Sequence, residues 1–215
     1  MVASTRWKVS KPKGSQLETL YELGKQSRQL RVLDVGGNDG LRARDEFYPG
    51  SEVEILDLKH GWDVMKVGLP NGAWDIILAN HFIEHITDPD FFLDECRRVM
   101  SETTVLDIGT PNLCAWFNRL LFLFGYVPHS VELSRRYNIG KAFGWNNEGL
   151  GGHIYVYSLR ALLELLKHHG FKVISVTGER STYPAPLPIK WLDGFLTSLS
   201  PHLASAIRVK CQLGS

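Results

Sequence analysis

The chain predicts an α/β domain built on a doubly wound, mostly parallel sheet with helices on both faces. Apolar, strand-like runs alternate with amphipathic helical segments along most of its 215 residues, the pattern of a parallel-rich sheet. The first of those runs, residues 32–35, enters a loop carrying Gly36, Gly37 and Gly40. A strand that ends in glycines brings bare backbone close to a ligand, because glycine lacks a Cβ and accepts positive φ. In an open parallel sheet that position is the ligand crevice.

Taken in order, residues 1–13 read as a flexible leader and residues 14–215 as a single domain. Leu17, Leu20, Tyr21 and Leu23 recur at helical spacing and predict an opening helix over 16–29. The first strand covers 31–36, and a helix follows from near Leu41. Residues 52–58 are strand-like and contain Asp57. Residues 74–80 form a continuous apolar run, as a central parallel strand does. Asp88, Pro89 and Asp90 mark a helix start by capping, fixed φ and favourable charge at the dipole. That helix runs to about Met100. Residues 104–108 are the next strand, which Pro111 stops. Ser158 caps an amphipathic helix with Leu159, Leu162, Leu163 and Leu166 on its apolar face, and Gly170 closes it. Residues 171–176 and 206–213 are two further strands. The aromatic, then glycine-rich segment 113–152 breaks the alternation. An insertion at that end of a sheet acts as a lid or substrate loop, with a peripheral helical pair as the alternative for 113–125.

Composition narrows the function classes. The chain is 44% hydrophobic and 22% charged with a formal net charge of +1, so nothing electrostatic argues for nucleic acid as a dominant partner. Cys96, Cys114 and Cys211 form no C-x-x-C pair or disulfide framework, which favours a reducing compartment. The polar, basic amino terminus has no secretory apolar region, and no run of about 18 apolar residues exists to span a bilayer. These features predict a cytoplasmic protein without a transmembrane segment. A homodimer stays open.

Spacing selects among cofactors. A dinucleotide fingerprint starting at Gly36 needs glycines at 38 and 41; the chain has Asn38 and Leu41. Asp34, at the strand's end, would also sit poorly beside a pyrophosphate. Its carboxylate suits a cofactor with a positive end, such as the ammonium and sulfonium of S-adenosylmethionine. The run Asp34 to Gly40 resembles the D-x-G-x-G-x-G loop of class I S-adenosylmethionine-dependent methyltransferases, with Asn38 where the middle glycine is usual. Asn is the non-glycine residue that best tolerates left-handed backbone.

That resemblance covers residues 30–112 and resumes from Gly152 and His153 through Ser158 to Gly170 and Phe171. It includes Leu69-Pro70, Asp75, Glu84-His85 and Thr110-Pro111-Asn112. With the following Asn118-Arg119-Leu120 it is similar to the methionine-biosynthesis protein W subgroup. It implies a Rossmann-like, seven-stranded sheet with a final antiparallel strand and S-adenosyl-L-methionine as cofactor. The cofactor residues it implies are Asp34, Gly36, Gly37, Asn38 and Gly40 in the loop. Asp57 with Leu58 would serve the ribose, and Asp63 with Val64, from a third short strand, the adenine. Asn80 and His81 would face the methionine half.

Methyl transfer needs no covalent enzyme intermediate, and a base helps only if the acceptor arrives protonated. His81 and His153 are the candidates. Glu84 and His85 read better as anchors of the turn before the next helix, and His168 and His169 as cations at a helix end. No His/Cys/Asp cluster has metal-ligand spacing, so no metal is expected. A small-molecule acceptor of unidentified kind is expected; the aromatic insertion suits an apolar or planar acceptor pocket or a lid excluding water, and core packing explains the same aromatics equally well. Three alternatives remain: a cofactor-binding domain without turnover, a nicotinamide-dependent oxidoreductase, and an interaction scaffold with an empty crevice.

Overall fold

The computed structural model describes residues 29–142, 151–181 and 186–214. The leader, almost all of the predicted opening helix and residues 143–150 of the insertion lie outside them. Six strands form one sheet: β1 (Arg31–Val35), β2 (Glu52–Leu56), β3 (Ile76–Asn80), β4 (Val105–Pro111), β5 (Phe171–Glu179) and β6 (Ala206–Leu213), in the order β2-β1-β3-β4-β6-β5. β2, β1, β3 and β4 pair in parallel. β6 runs antiparallel to both its neighbours, β4 and β5.

Among the described residues the sheet has six strands, not the seven that the resemblance implies. The expected third short strand, around Trp62 and Asp63, is instead a helical turn, α1 (Val64–Val67). The reason is local: the Asp63 side chain accepts from Met65 N and caps that turn, which holds the backbone helical rather than extended.

Side chains alternate across the strands and divide the core. On one face Leu33, Val35, Ile77, Ala79, Leu106 and Ile108 join Phe92, Leu93 and Cys96 of α2 (Pro89–Val99) and Leu159, Leu162 and Leu166 of α4 (Leu159–His168). On the other, Val32, Ile76, Leu78 and Val105 pack with Ala43 and Tyr48. The helix expected from near Leu41 begins there and continues as a π-helical segment, Ala43–Phe47.

Helix ends follow the sequence closely. Asp88 Oδ1 accepts from Phe91 N, Ser158 Oγ from Ala161 N, and Gly170 takes φ 73°. His169 then ties the end of α4 to α2 through Asp90 (2.7 Å) and Asp94 (3.1 Å), a tertiary link beyond its expected dipole role. Two further helices complete the described chain: α3 (Trp116–Leu123) and α5 (Leu187–Leu199). The sequence did not predict α5. All three cysteines are free, Cys96 and Cys211 being buried. No helix among the described residues is long and apolar enough to cross a membrane.

A buried cation holds the antiparallel strand in place. Arg208 of β6 donates from Nη1 to Asp107 Oδ1 (3.1 Å), from Nε to Glu179 Oε1 (2.7 Å) and from Nη2 to Asn80 Oδ1 (2.7 Å). Its guanidinium also lies 3.8 Å from the centre of the Phe47 ring. Tyr48 donates its hydroxyl to the other oxygen of Asp107, and burial with the Asp107 charge holds that phenol well above its ordinary range. Removing one partner of a buried ion pair leaves the other uncompensated, a loss of about 3–5 kcal/mol. Lys210 remains 3.5 Å from Asp107, so Arg208→Ala should fall at the low end, about 3 kcal/mol, read as a lower urea midpoint with unchanged slope.

Candidate active site

The C-terminal ends of β1, β2 and β3 converge on the glycine turn. Gly36 (φ 75°), Asn38 (φ 56°) and Gly40 (φ 69°) all adopt left-handed backbone, so Asn38 does take the conformation the sequence required of it. Gly37 is needed for another reason. A Cβ there would stand 2.0 Å from Asp34 Oδ2, because the Asp34 carboxylate lies directly beneath the turn. Burial, reinforced by the charges of Asp57 and Asp39, pushes that carboxyl up to about 6.

Asp57 links the two strand ends. Its Oδ1 accepts from Lys59 N (2.8 Å), capping the 3-10 turn Leu58–His60, and its Oδ2 accepts from Asn38 N (3.1 Å). A carboxylate offers about four lone-pair sites, so each oxygen keeps one for a ligand. Lys59 Nζ and His60 Nε2 bind the side chain and carbonyl of Asn38, which clamps the turn to β2. Leu58, next to Asp57, is 72% exposed. Asp63 is farther along the same edge. Besides capping α1 it pairs with Lys66 (2.9 Å), and that bond holds its carboxyl below the usual range. Val64 is buried in the core beside it.

At the end of β3, Gly109 leaves room for the Asn80 side chain: a Cβ there would lie 2.5 Å from Asn80 Oδ1. His81 follows with φ 52°, a strained geometry for a non-glycine residue of the kind that gathers at functional sites. His81 Nδ1 hydrogen-bonds Glu84 Oε1 (3.1 Å), and the second oxygen of that buried carboxylate accepts from Thr110 Oγ1 (3.0 Å).

His85 and His153 meet from distant parts of the chain and stack, ring centres 4.8 Å apart. His85 Nδ1 is 3.3 Å from Gly152 O, and Glu132 accepts from the Gly151 and Gly152 amides. Burial, then the neighbouring His85, lowers the His153 pKa against the opposing pull of Glu84 and Glu132. That shift favours the neutral imidazole. Glu84, His85 and His153 bring three ligand-type atoms within 4.8 Å of one another, a set that no sequence spacing revealed. Each Glu84 oxygen carries one hydrogen bond, to His81 and to Thr110, which fixes the carboxylate beside the two rings.

His153 of this trio also lines a cavity of about 200 Å³, together with His81, Asn112, Phe117, Asn118 and Arg180, among others. The two histidines singled out in the sequence thus share one chamber. Asn118 is 4% exposed. Its Nδ2 donates to Asn112 O (3.0 Å), while its Oδ1 has no hydrogen-bond partner. His153 Nδ1 and the Ser205 hydroxyl, also lining residues, are likewise unsatisfied. No spacing or motif marks Asn118, Ser205 or Arg180 as cavity residues.

A doubly wound α/β domain with an acid-flanked glycine turn and a polar chamber at the same sheet edge defines a nucleotide-cofactor-type protein. A family model described as a methyltransferase domain matches residues 14–176, and the chain belongs to that family. A curated relative from Mycolicibacterium smegmatis, described as a probable S-adenosylmethionine-dependent methyltransferase, is 26% identical over 132 residues, 61% of this chain. The chain spans about half the length of that relative (50%). An S-adenosylmethionine-dependent methyltransferase structure from Mesorhizobium loti superposes with a TM-score of 0.55 at 15% identity, covering 91% of this chain and 96% of that one. A (4+2)-cyclase matches with a TM-score of 0.51 at 14% identity, covering 92% and 79%. The fold therefore does not choose the reaction.

The Asp34 carboxyl yields a pH prediction. Its folded pKa, about 6, lies above the ordinary carboxylate value of 3.8, so the folded state holds the extra proton between those values. Stability then falls as pH rises through that window. Asp34→Asn removes the buried charge and should stabilise the ligand-free chain by up to about 3 kcal/mol at pH 7. The gain should vanish below pH 3.8, as followed by denaturant titration across pH.

Proposed function

We propose that this chain is an S-adenosylmethionine-dependent methyltransferase acting on a small, polar acceptor. The observation that carries the reading is the Asp34 carboxylate beneath Gly37, joined through Asn38 to Asp57 at the neighbouring strand end. The residues fit such a cofactor. The turn leaves bare backbone where a Cβ would clash, and Asp57 keeps lone pairs for two ribose hydroxyls. Exposed Leu58 offers an apolar surface for adenine, with Asp63 and Val64 beside it. Asn80 and His81 serve the methionine end, and the buried Asp34 supplies the negative potential that a cationic cofactor favours. When bound, the cofactor supplies an electrophilic methyl group and leaves as the neutral thioether.

The protein's part is to orient the acceptor, exclude water and take its proton. His153 favours the neutral imidazole and holds an unsatisfied Nδ1, which suits it to accept that proton. Asn118 Oδ1, fixed as an acceptor by the bond its Nδ2 makes, calls for an O–H or N–H donor on the substrate. The acceptor is therefore a hydroxyl or amine compound. Segment 113–152 serves as its lid or substrate loop within one domain over 14–215, since Phe117, Asn118, His129 and Ser130 line the chamber. Thr110-Pro111-Asn112 followed by Asn118-Arg119-Leu120 supports placement near the methionine-biosynthesis protein W subgroup.

Calorimetry with S-adenosylhomocysteine, followed by a labelled-methyl screen over hydroxyl and amine acceptors, tests the reading; binding without any turnover would support a purely cofactor-sensing domain. Asp57→Ala should weaken S-adenosylhomocysteine binding at least about 10- to 100-fold, since each of the two charge-assisted hydrogen bonds lost is worth about 1.5–3 kcal/mol, with the fold intact by circular dichroism. His153→Gln should lower kcat by about 10²–10⁴-fold while leaving cofactor affinity near wild type. In the wild type, kcat/KM should climb with pH along an acid limb lying below the ordinary imidazole range, as the depressed His153 pKa requires. Loss of that limb in His153→Gln checks the assignment.

A further inference from the structure

Helix α5 is amphipathic in the wrong direction for a surface helix. It buries Asp193 and Gly194, while Leu187, Ile189, Trp191, Leu192, Phe195 and Leu199 stand 44–80% exposed. A surface helix normally turns its apolar stripe inward. Asp193 is held inside by Trp116 Nε1 (2.8 Å) and Ser181 N (3.0 Å). Gly194 admits the Arg180 guanidinium, whose Cζ lies 3.0 Å from where a Cβ would stand. The polar face is thus fixed inward by specific bonds, and the apolar face is left outward.

Helix α3, joined to α5 through the Trp116–Asp193 bond, repeats the pattern. It buries Asn118 and Leu121 and exposes Leu120, Phe122 and Leu123, with Phe124 and Tyr126 exposed just beyond it. So many large apolar side chains on two linked helices exceed the scattered exposure normal for a monomer's surface. The charges point to the occupant. Arg119 and Lys190 are the exposed charged residues of the two helices, and the one acid, Asp193, is buried. A second copy docked face to face would set the same cationic surface against itself. An anionic surface would be attracted. Trp191 and Lys190 stand exposed side by side on an apolar face with no exposed acid, a surface that an anionic lipid headgroup layer meets without charge repulsion. Neither helix is long enough to span a bilayer.

We propose that α5, with α3 beside it, docks this protein onto an anionic lipid bilayer. The inference goes beyond the methyl-transfer reading and does not require it. Phe117 and Asn118 of α3, and Arg180 and Ser181 ahead of α5, line the chamber described above, so docking brings that chamber to the bilayer surface.

Flotation of the full chain with vesicles tests the proposal. The wild type should float with phosphatidylcholine vesicles containing phosphatidylglycerol, and at least about tenfold less with phosphatidylcholine alone or at high salt. Trp191→Ser with Phe195→Ser should lower anionic-vesicle binding at least about tenfold, with unchanged thermal unfolding and unchanged S-adenosylhomocysteine calorimetry. Lys190→Glu should lower it by a similar factor. No flotation of the wild type, or equal flotation of the double variant, overturns the proposal. So does sedimentation equilibrium showing a wild-type dimer that the double variant abolishes, since a second copy would then cover the face.

Discussion

The Arg208–Asp107 pair is the constraint on which the sheet depends. β6 lies inside the sheet between β4 and β5 and runs antiparallel to both. Here one guanidinium on β6 gathers Asp107 from β4, Glu179 from β5, Asn80 from β3 and the ring of Phe47. These groups belong to three strands and the segment covering the second face. The pair also reaches the candidate site, because Asn80, which begins the approach to the strained His81, is held by Arg208 Nη2. The strand added last in sequence therefore sets the rim of the crevice built by the earlier ones.

The Asp34 turn shows the opposite balance. A carboxylate placed under a glycine turn, with two more acids nearby, raises the energy of the ligand-free protein. Sites that bind cations commonly carry such a cost, because the field that opposes the empty state favours the occupied one. The clamp of Lys59 and His60 on Asn38 offsets part of it by fixing a backbone that would otherwise strain at a non-glycine residue.

How much could be read in the sequence follows from how local each cause is. The Asp88 and Ser158 caps, the closing Gly170 and the strand Ala206–Leu213 were legible because their determinants lie within a few residues. Asp34, the glycine turn and Asp57 were legible by order and spacing. Asp63 departs from the expected strand because its side chain accepts from Met65 N and caps α1, a determinant that a family pattern of strands does not carry. Helix α5 escaped because its buried positions are an aspartate and a glycine, so apolar periodicity points to the wrong face. The meeting of Glu84 and His85 with His153, and the unsatisfied Asn118 amide, arise from tertiary packing that no spacing rule records. The seventh strand of the expected sheet has no counterpart among the described residues.

The cysteines described with the fold have a practical consequence. Burial drives the thiols of Cys96 and Cys211 well above their ordinary range, which suppresses the thiolate that alkylating reagents need. Cys114 is partly exposed just ahead of α3, so the native chain carries one intrinsic labelling handle, at the root of the helix that walls the chamber. A fluorophore placed there would report from that position without any engineered cysteine.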